Sequence, residues 1–413
     1  MSGAVVPSTA DVVVIGGGIW GSATAEALCR YHGADVVVLE RESLSAATTS
    51  RGAALMPRAR STATLRAMVC ETYAAIESLE AQLGEDLQLH RVGALHIATS
   101  EATRATQDAQ VTAARAEGDR VEHPDSDTVA AMVPWLRPDA DRAYAFFPDD
   151  GFIDPYKLGM AYAQAARRHG ATLCQGVEVT GILRAGRRVV GVETTAGRIA
   201  CATVVCAAGP WSALVGLWSG ARLPLAPVRS HYWITAPNET LFPRDQVMVF
   251  APDGRFYARP EVGGLLYGFR DRVCVAADPR DYPPDPSGFA FGHDDAGWES
   301  LNDALKGFRS FWDGLGDVPV AHYIAAASAY TPDGQFVIGP WPEIEGFVAV
   351  TGCSGAGIAT SGGVGRAAAA LAVGAEPPWD LSAFRPDRFG AVDPLDRAFL
   401  DRCAAARANK RSG

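Results

Sequence analysis

The sequence predicts a mixed α/β (α+β) fold of two domains, and three observations carry that reading. At 413 residues the chain is too long for one compact core. Near its start an apolar run breaks into glycines, passes into an Ala-rich segment and resumes as a second apolar run, the pattern of a strand, turn, helix and strand. Farther on, "RFYARPEVGGLLYGFR", Arg255 to Arg270, alternates around a Pro/Gly turn and predicts a hairpin in an antiparallel sheet.

The first unit comes from "VVVIGGGIWG", Val12 to Gly21. Val12 to Ile15 is β-branched and bounded by glycine, as expected of a strand buried on both faces. A helix is predicted from Ile19 to Tyr31, and a second strand from Val36 to Leu39. Gly16, Gly18 and Gly21 therefore form G-x-G-x-x-G at a strand-to-helix junction, the Rossmann-like fingerprint. The first glycine permits the tight turn, the second admits a pyrophosphate to the backbone, and the third lets helix and strand pack closely. The free N–H groups at Ile19 and Trp20 would face the phosphates. Glycine is common here, at 43 residues, so the motif needs its context. Glu40 supplies it: an acid ending the second strand, nineteen residues past Gly21, is placed to accept hydrogen bonds from ribose hydroxyls. After it, "SLSAATTSRGAAL", Ser43 to Leu55, is a loop of small polar residues able to hydrogen-bond phosphate and an isoalloxazine ring.

The remaining elements follow in order. Leu65, Met68, Thr72, Ile76, Leu79 and Leu83 mark one helix face, stopped by Gly84, and Leu158 to Arg168 forms another helix. Thr203 to Cys206 reads as a buried parallel strand ending in Ala207-Ala208-Gly209. Asp278 to Gly297, rich in Pro, Asp and Gly, is a long loop, either a lid or a surface excursion. In Gly352 to Gly374 a glycine loop enters an Ala-rich helix, whose N-terminus carries partial positive charge.

Composition narrows the function. With 48% hydrophobic and 20% charged residues the chain reads as a globular protein. A net charge of −10 argues against nucleic acid or an anionic membrane surface and favours a small-molecule partner. Cys29, Cys70, Cys174, Cys201, Cys206, Cys274, Cys353 and Cys403 form no C-x-x-C pair, so a reducing, cytoplasmic setting is expected and no metal. No Lys or Arg precedes Val12 and glycines cut the apolar run after four residues, which argues against a signal peptide. No stretch reaches the roughly 18 to 20 apolar residues of a membrane span.

Four blocks carry a resemblance across nearly the whole chain: the N-terminal "VVVIGGGIWGSATA…VVVLERE…TTSRGAAL", "DDGFIDPYKLGMAYAQAARRHGA", "GRIACATVVCAAGPW" and "TPDGQFVIGPWPEIEGFVAVTGCSGAGIATSGGVGRAAAAL". Together they resemble the FAD-dependent D-amino acid oxidase superfamily, in the branch of sarcosine oxidase, glycine oxidase and dimethylglycine dehydrogenase. The resemblance implies a Rossmann-like FAD-binding domain, residues 1–90, 150–222 and 326–413, interleaved with an antiparallel-sheet substrate domain, residues 91–149 and 223–325. It places FAD against Gly16, Gly18, Ile19, Trp20, Gly21, Glu40, Arg41, Thr49, Ser50, Arg51, Gly52, Val179, Ala208, Gly209, Trp211, Gly355, Ala356, Gly357, Ile358 and Ala359. It also implies hydride transfer from the α-carbon of an amine to flavin N5, leaving an imine that water hydrolyses, with O2 or another acceptor reoxidising the cofactor.

Departures from the family are informative. The cysteine that binds FAD covalently in sarcosine oxidases falls at Ala326, and no histidine stands in the Thr49-Ser50-Arg51 loop as in dimethylglycine dehydrogenases, so noncovalent FAD is expected. The lysine that promotes reaction with oxygen falls at Leu266, and a second flavin-side lysine at Ala359. The carboxylate-binding arginine of glycine oxidase falls at Ser328, leaving Arg58, by count from Arg51, as the candidate clamp or else a surface charge beside Arg60. Tyr257 matches a substrate-side tyrosine and Arg270 an active-site histidine; period-two alternation puts Leu266, Gly268 and Arg270 on one face. The catalytic candidates are therefore Arg58, Tyr257 and Arg270. His96 and His231 lie in predicted strands and read as structural side chains. The first expectation is oxidation of a CH–NH bond in a carboxylated amino acid or secondary amine. A 2-hydroxy acid or polyol dehydrogenase and a flavoprotein scaffold without turnover are the alternatives.

Overall fold

The computed structural model describes residues 6–292, 294 and 296–410. Its first layer is a six-stranded sheet in the order Val337–Pro340, Phe347–Thr351, Thr203–Cys206, Val12–Ile15, Val36–Glu40, Thr172–Gln175. All neighbours are parallel except the first two, which are antiparallel. Val12 pairs with both Thr203 and Val36, so the strand before the glycines is central, and all four of its residues are buried. Burial on both faces explains its unbroken apolar run. The predicted helices run over Ile19–His32, Ala63–Leu83 and Pro155–Arg168; the second stops at Gly84 with φ 71° and the last begins on the N-cap Asp154.

The turn after Ile15 shows why glycine is required. Gly16 has φ 106°, and a Cβ at Gly21 would stand 1.9 Å from the Gly16 carbonyl oxygen. The first helix thus rests directly on the turn that precedes it.

The second layer is a seven-stranded sheet in the order Val320–Tyr330, Ala226–Thr235, Gly264–Phe269, Phe256–Glu261, Met248–Ala251, Ala94–Ala98, Ala143–Phe147. Its neighbours are antiparallel apart from Met248–Ala251 and Ala94–Ala98. The predicted hairpin is present, closed by Val262 and Gly263, both with positive φ, between Glu261 and Gly264. One face of this sheet buries Trp233, Phe256, Tyr267 and Phe269 with Trp135, Phe308 and Trp312. Alternation sends Ser230, Tyr232, Tyr257, Ala326 and Ser328 to the other face, which looks into a cavity shared with the parallel sheet. A small antiparallel sheet, Val179–Ala185, Arg188–Thr194 and Gly197–Ala200, flanks the first layer.

The eight cysteines are free thiols. Among the described residues no helix is long and apolar enough to cross a membrane, and no cluster of His, Cys, Asp or Glu could hold a metal ion.

Gly21→Ala is expected to destabilise the protein by roughly 1–3 kcal/mol or more, because the added methyl has no space without shifting the Gly16 peptide. A thermal or urea melt of the variant checks this.

Candidate active site

The cavity between the two sheets has a volume of about 690 Å³. Its floor is the turn after the first strand: Gly16, Gly18, Ile19 and Trp20 line it. The helix that begins at Ile19 has no side-chain cap; Thr49 Oγ1 accepts the Ile19 N–H at 3.0 Å. A helix N-terminus so exposed to a cavity favours an anion. Glu40 lines the same end, and its two oxygens accept the Gly17 and Glu42 N–H groups at 2.8 and 3.0 Å. Those bonds fix the carboxylate while each oxygen keeps a lone pair for a hydroxyl. Arg41 lies over the Trp211 ring at 4.1 Å, and Trp20 Nε1 donates to the Gly357 carbonyl at 2.8 Å, tying the first helix to the glycine loop before the Ser361–Ala372 helix.

Of the loop expected over Asp278 to Gly297, residues 284–287 form part of the cavity wall, so that part is not a detached surface excursion. Arg51 donates to Ser287 Oγ at 2.8 Å, and Trp211 Nε1 donates to the Tyr282 carbonyl at 2.8 Å. His293 and Asp295 lie outside the described residues.

Charge is divided along the lining. Its acids, Glu40, Glu42, Glu178 and Asp285, act on Arg41 and Arg51. Elsewhere Arg60, Arg270, Arg407 and Lys410 line it with Tyr257 and Tyr330. Arg270 Nη1 donates to the Lys410 carbonyl at 2.6 Å, and Lys410 Nζ to the Ser354 carbonyl at 2.6 Å. Burial pulls Arg60 down to about 10 and holds Lys410 well below the ordinary lysine range, with Arg270 reinforcing both shifts. Burial raises the Tyr257 and Tyr330 phenols, so both remain protonated donors at neutral pH.

Of the residues singled out in the sequence, Gly16, Gly18, Ile19, Trp20, Glu40, Arg41, Thr49, Arg51, Gly52, Val179, Ala208, Gly209, Trp211 and Gly355 to Ala359 line the cavity, as do Tyr257 and Arg270. Tyr257 pairs with Gly268, where a Cβ would meet its ring at 2.2 Å; the missing side chain is the space the phenol occupies. Three residues do not line the cavity. Gly21 packs on Gly16, and Ser50 Oγ donates to the Ala46 carbonyl at 2.8 Å, shaping the loop from behind. Arg58 is the substantive correction. Its Nε donates to Asp150 Oδ1 at 3.0 Å and it stands 3.3 Å from Asp119, so a bend at Arg58 turns it to a buried acid and Arg60 reaches the cavity instead. Counting from Arg51 could not foresee the acids that capture it. Of the histidines, His231 is held by Asp271 and Tyr323 OH, both at 2.9 Å; His96 is buried between Phe147 and Phe250 with Nε2 lacking a hydrogen-bond partner.

Arg407 and Lys410, at the end of the Arg397–Asn409 helix and just past it, were missed. The signal was present: Phe399, Leu400, Cys403 and Ala404 form a buried stripe that Arg407 continues at helical spacing. A charged residue in an apolar stripe invites the question of what it faces.

The sequence matches the profile of the family described as FAD dependent oxidoreductase over residues 11–371. The chain belongs to that family. Among its relatives, mitochondrial dimethylglycine dehydrogenase of Mus musculus is 28% identical over 92% of the chain and 44% of its own length. Mitochondrial sarcosine dehydrogenase of Homo sapiens is 28% identical over 93% of the chain and 42% of its own. The chain thus spans under half the length of these relatives. Among solved structures, L-proline dehydrogenase from P. horikoshii shares the fold with a TM-score of 0.81 at 23% identity, covering 93% of this chain and 98% of that one.

The lining fits the dinucleotide. The helix start, whose N-cap Gly18 offers no side chain, suits a diphosphate and Glu40 a ribose, and the buried Arg41 Nη2, Ser45 Oγ and Ser230 Oγ in the lining have no hydrogen-bond partner among the described residues.

Arg58→Ala is expected to cost roughly 3–5 kcal/mol, because it strands a fully buried carboxylate. Burial already pushes Asp150 up to about 6. It therefore binds its proton more readily folded than unfolded, so its ionisation costs stability progressively as the pH rises from the ordinary carboxylate range toward about 6 and in full above that, and losing Arg58 pushes this window to higher pH. The deficit of the variant should shrink as the pH falls from about 7 to about 5, read from urea denaturation midpoints.

Proposed function

We propose that the protein binds FAD noncovalently in this cavity and oxidises the CH–NH bond of a carboxylated amino acid or secondary amine. The observation that carries this reading is the placement of Arg270 and Tyr257, a carboxylate-binding cation and a hydrogen-bond donor, in the same cavity as the glycine turn and Glu40. Bound there, FAD would supply the two-electron acceptor. The chain's own residues bind and orient. Arg270 offers Nε and Nη2 to a carboxylate, since Nη1 is committed to the Lys410 carbonyl. Tyr257, backed against Gly268, has little freedom to turn and gives the substrate a fixed wall. The start of the Ser361–Ala372 helix, without a side-chain cap, adds partial positive charge beside the glycine loop.

Oxidation of the neutral amine removes a hydride from the α-carbon while the nitrogen lone pair forms the C=N bond. Water then adds to that carbon and the C–N bond breaks. His231 is committed to Asp271 and Tyr323, which agrees with a reaction that needs no histidine base.

We assign residues 1–90, 150–222 and 326–413 to the cofactor domain and 91–149 and 223–325 to the substrate domain. In support, every strand of the six-stranded sheet falls in the first set, and those of the seven-stranded sheet in the second, with Val320–Tyr330 crossing the boundary. Noncovalent attachment is supported by Ala326 in the lining and by the absence of histidine from the Ser43–Leu55 loop; Cys353 is the thiol in the lining that could contradict it.

The purified protein is expected to be yellow and to release its colour on acid precipitation. Colour retained in the pellet, and lost from it in Cys353→Ser, would show attachment through that thiol. Anaerobic titration with N-methylated amino acids is expected to bleach the flavin band where 2-hydroxy acids do not; the reverse order would sink the amine reading, and no bleaching by either would indicate a scaffold.

A further inference from the structure

We infer that the substrate carries a second anionic group in addition to its amino acid carboxylate, and that Arg270, Arg407 and Lys410 form the pocket that receives the pair. The inference rests on the function proposed above and names its substrate class: an acidic N-substituted amino acid, with two carboxylates or a carboxylate and a phosphonate-like group.

Three parts of the chain bring these cations together. Arg270 follows the second strand of the hairpin, Arg407 sits in the last turns of the Arg397–Asn409 helix, and Lys410 follows that helix. All three line the cavity, and Arg60 lines it with them. Each is steered by a backbone carbonyl: Arg270 by Lys410, Lys410 by Ser354, and Arg407, through Nε, by Arg229. A neutral carbonyl orients a cation without neutralising it. Among the described residues no carboxylate pairs with Arg270 or Lys410, whereas Asp271 and the Tyr257 and Tyr330 phenols act on Arg407 and favour its charged form. The terminal nitrogens of Arg407 donate to no described residue.

The nearby carboxylates are already engaged. Asp271 is shared: it accepts from His231 at 2.9 Å, stands 3.6 Å from Arg229 and also acts on Arg407, while Asp150 is held by Arg58 at 3.0 Å. The acids of the lining act at the other end, on Arg41 and Arg51. One end of the cavity therefore gathers like charges that burial makes costly. Arg270 and Lys410 each feel a neighbouring cation as a depressing influence on their own charge. One carboxylate would balance Arg270 and leave Lys410 without a counter-charge, with Arg407 served only by an Asp271 it shares with His231 and Arg229. Two anionic groups balance Arg270 and Arg407 and give Lys410 a reason to stay protonated.

The test uses the purified flavoprotein and unreactive anions, followed through the visible difference spectrum of its flavin. Succinate and glutarate are expected to bind at least about tenfold more tightly than butyrate, and 3-phosphonopropionate is compared with succinate to identify the preferred second group. Arg270→Met should remove most of that advantage and Lys410→Met part of it; because Lys410 lies beyond the last helix, its variant keeps the test open if Arg270→Met fails to fold. Equal binding of one-charge and two-charge anions, or a preference untouched by both substitutions, would overturn the inference. The two proposals fail separately. Bleaching by N-methylglycine as readily as by N-methylglutamate ends the second anionic group and leaves amine oxidation standing. Tight dianion binding with no bleaching by any amine keeps the pocket and removes the oxidation.

Discussion

The structure depends on one close approach, the α-carbon of Gly21 against the carbonyl of Gly16. It sets the first helix on the end of the central strand, and so brings an uncapped helix start and bare backbone to the floor of the cavity. Every other contribution to the site is placed relative to that floor. Glu40 ends the neighbouring strand and grips Gly17, Thr49 reaches back to Ile19, and Trp20 crosses to Gly357. The parts of this end bond to one another without any ligand.

The opposite end is built on different physics. There the antiparallel sheet supplies a wall whose alternate residues are Ser230, Tyr232, Ala326 and Ser328, and the charges come from segments distant in sequence. Buried cations held only by carbonyls are costly. An anionic ligand would relieve that cost, which is the ground for the substrate class inferred above.

Legibility in the sequence divided along the same line. The cofactor end was readable because its signals are local: a strand, three glycines at fixed spacing, and an acid at the end of the next strand. The hairpin was readable for the same reason, and with it the shared face of Tyr257 and Gly268. Arg58 failed because its neighbours, Asp119 and Asp150, are far along the chain, and counting residues carries no information about a captured charge. Arg407 left a local trace, a charge in an apolar stripe, but the trace does not say which cavity the helix end closes, and Lys410 lies beyond the stripe.

The Pro284–Ser287 stretch lines the cavity, tied by Arg51 to Ser287, with the neighbouring Tyr282 carbonyl tied to Trp211. Were a dinucleotide held behind this stretch, its release would require both contacts to part, and its residence would follow how often the rim moves as well as the strength of its own bonds.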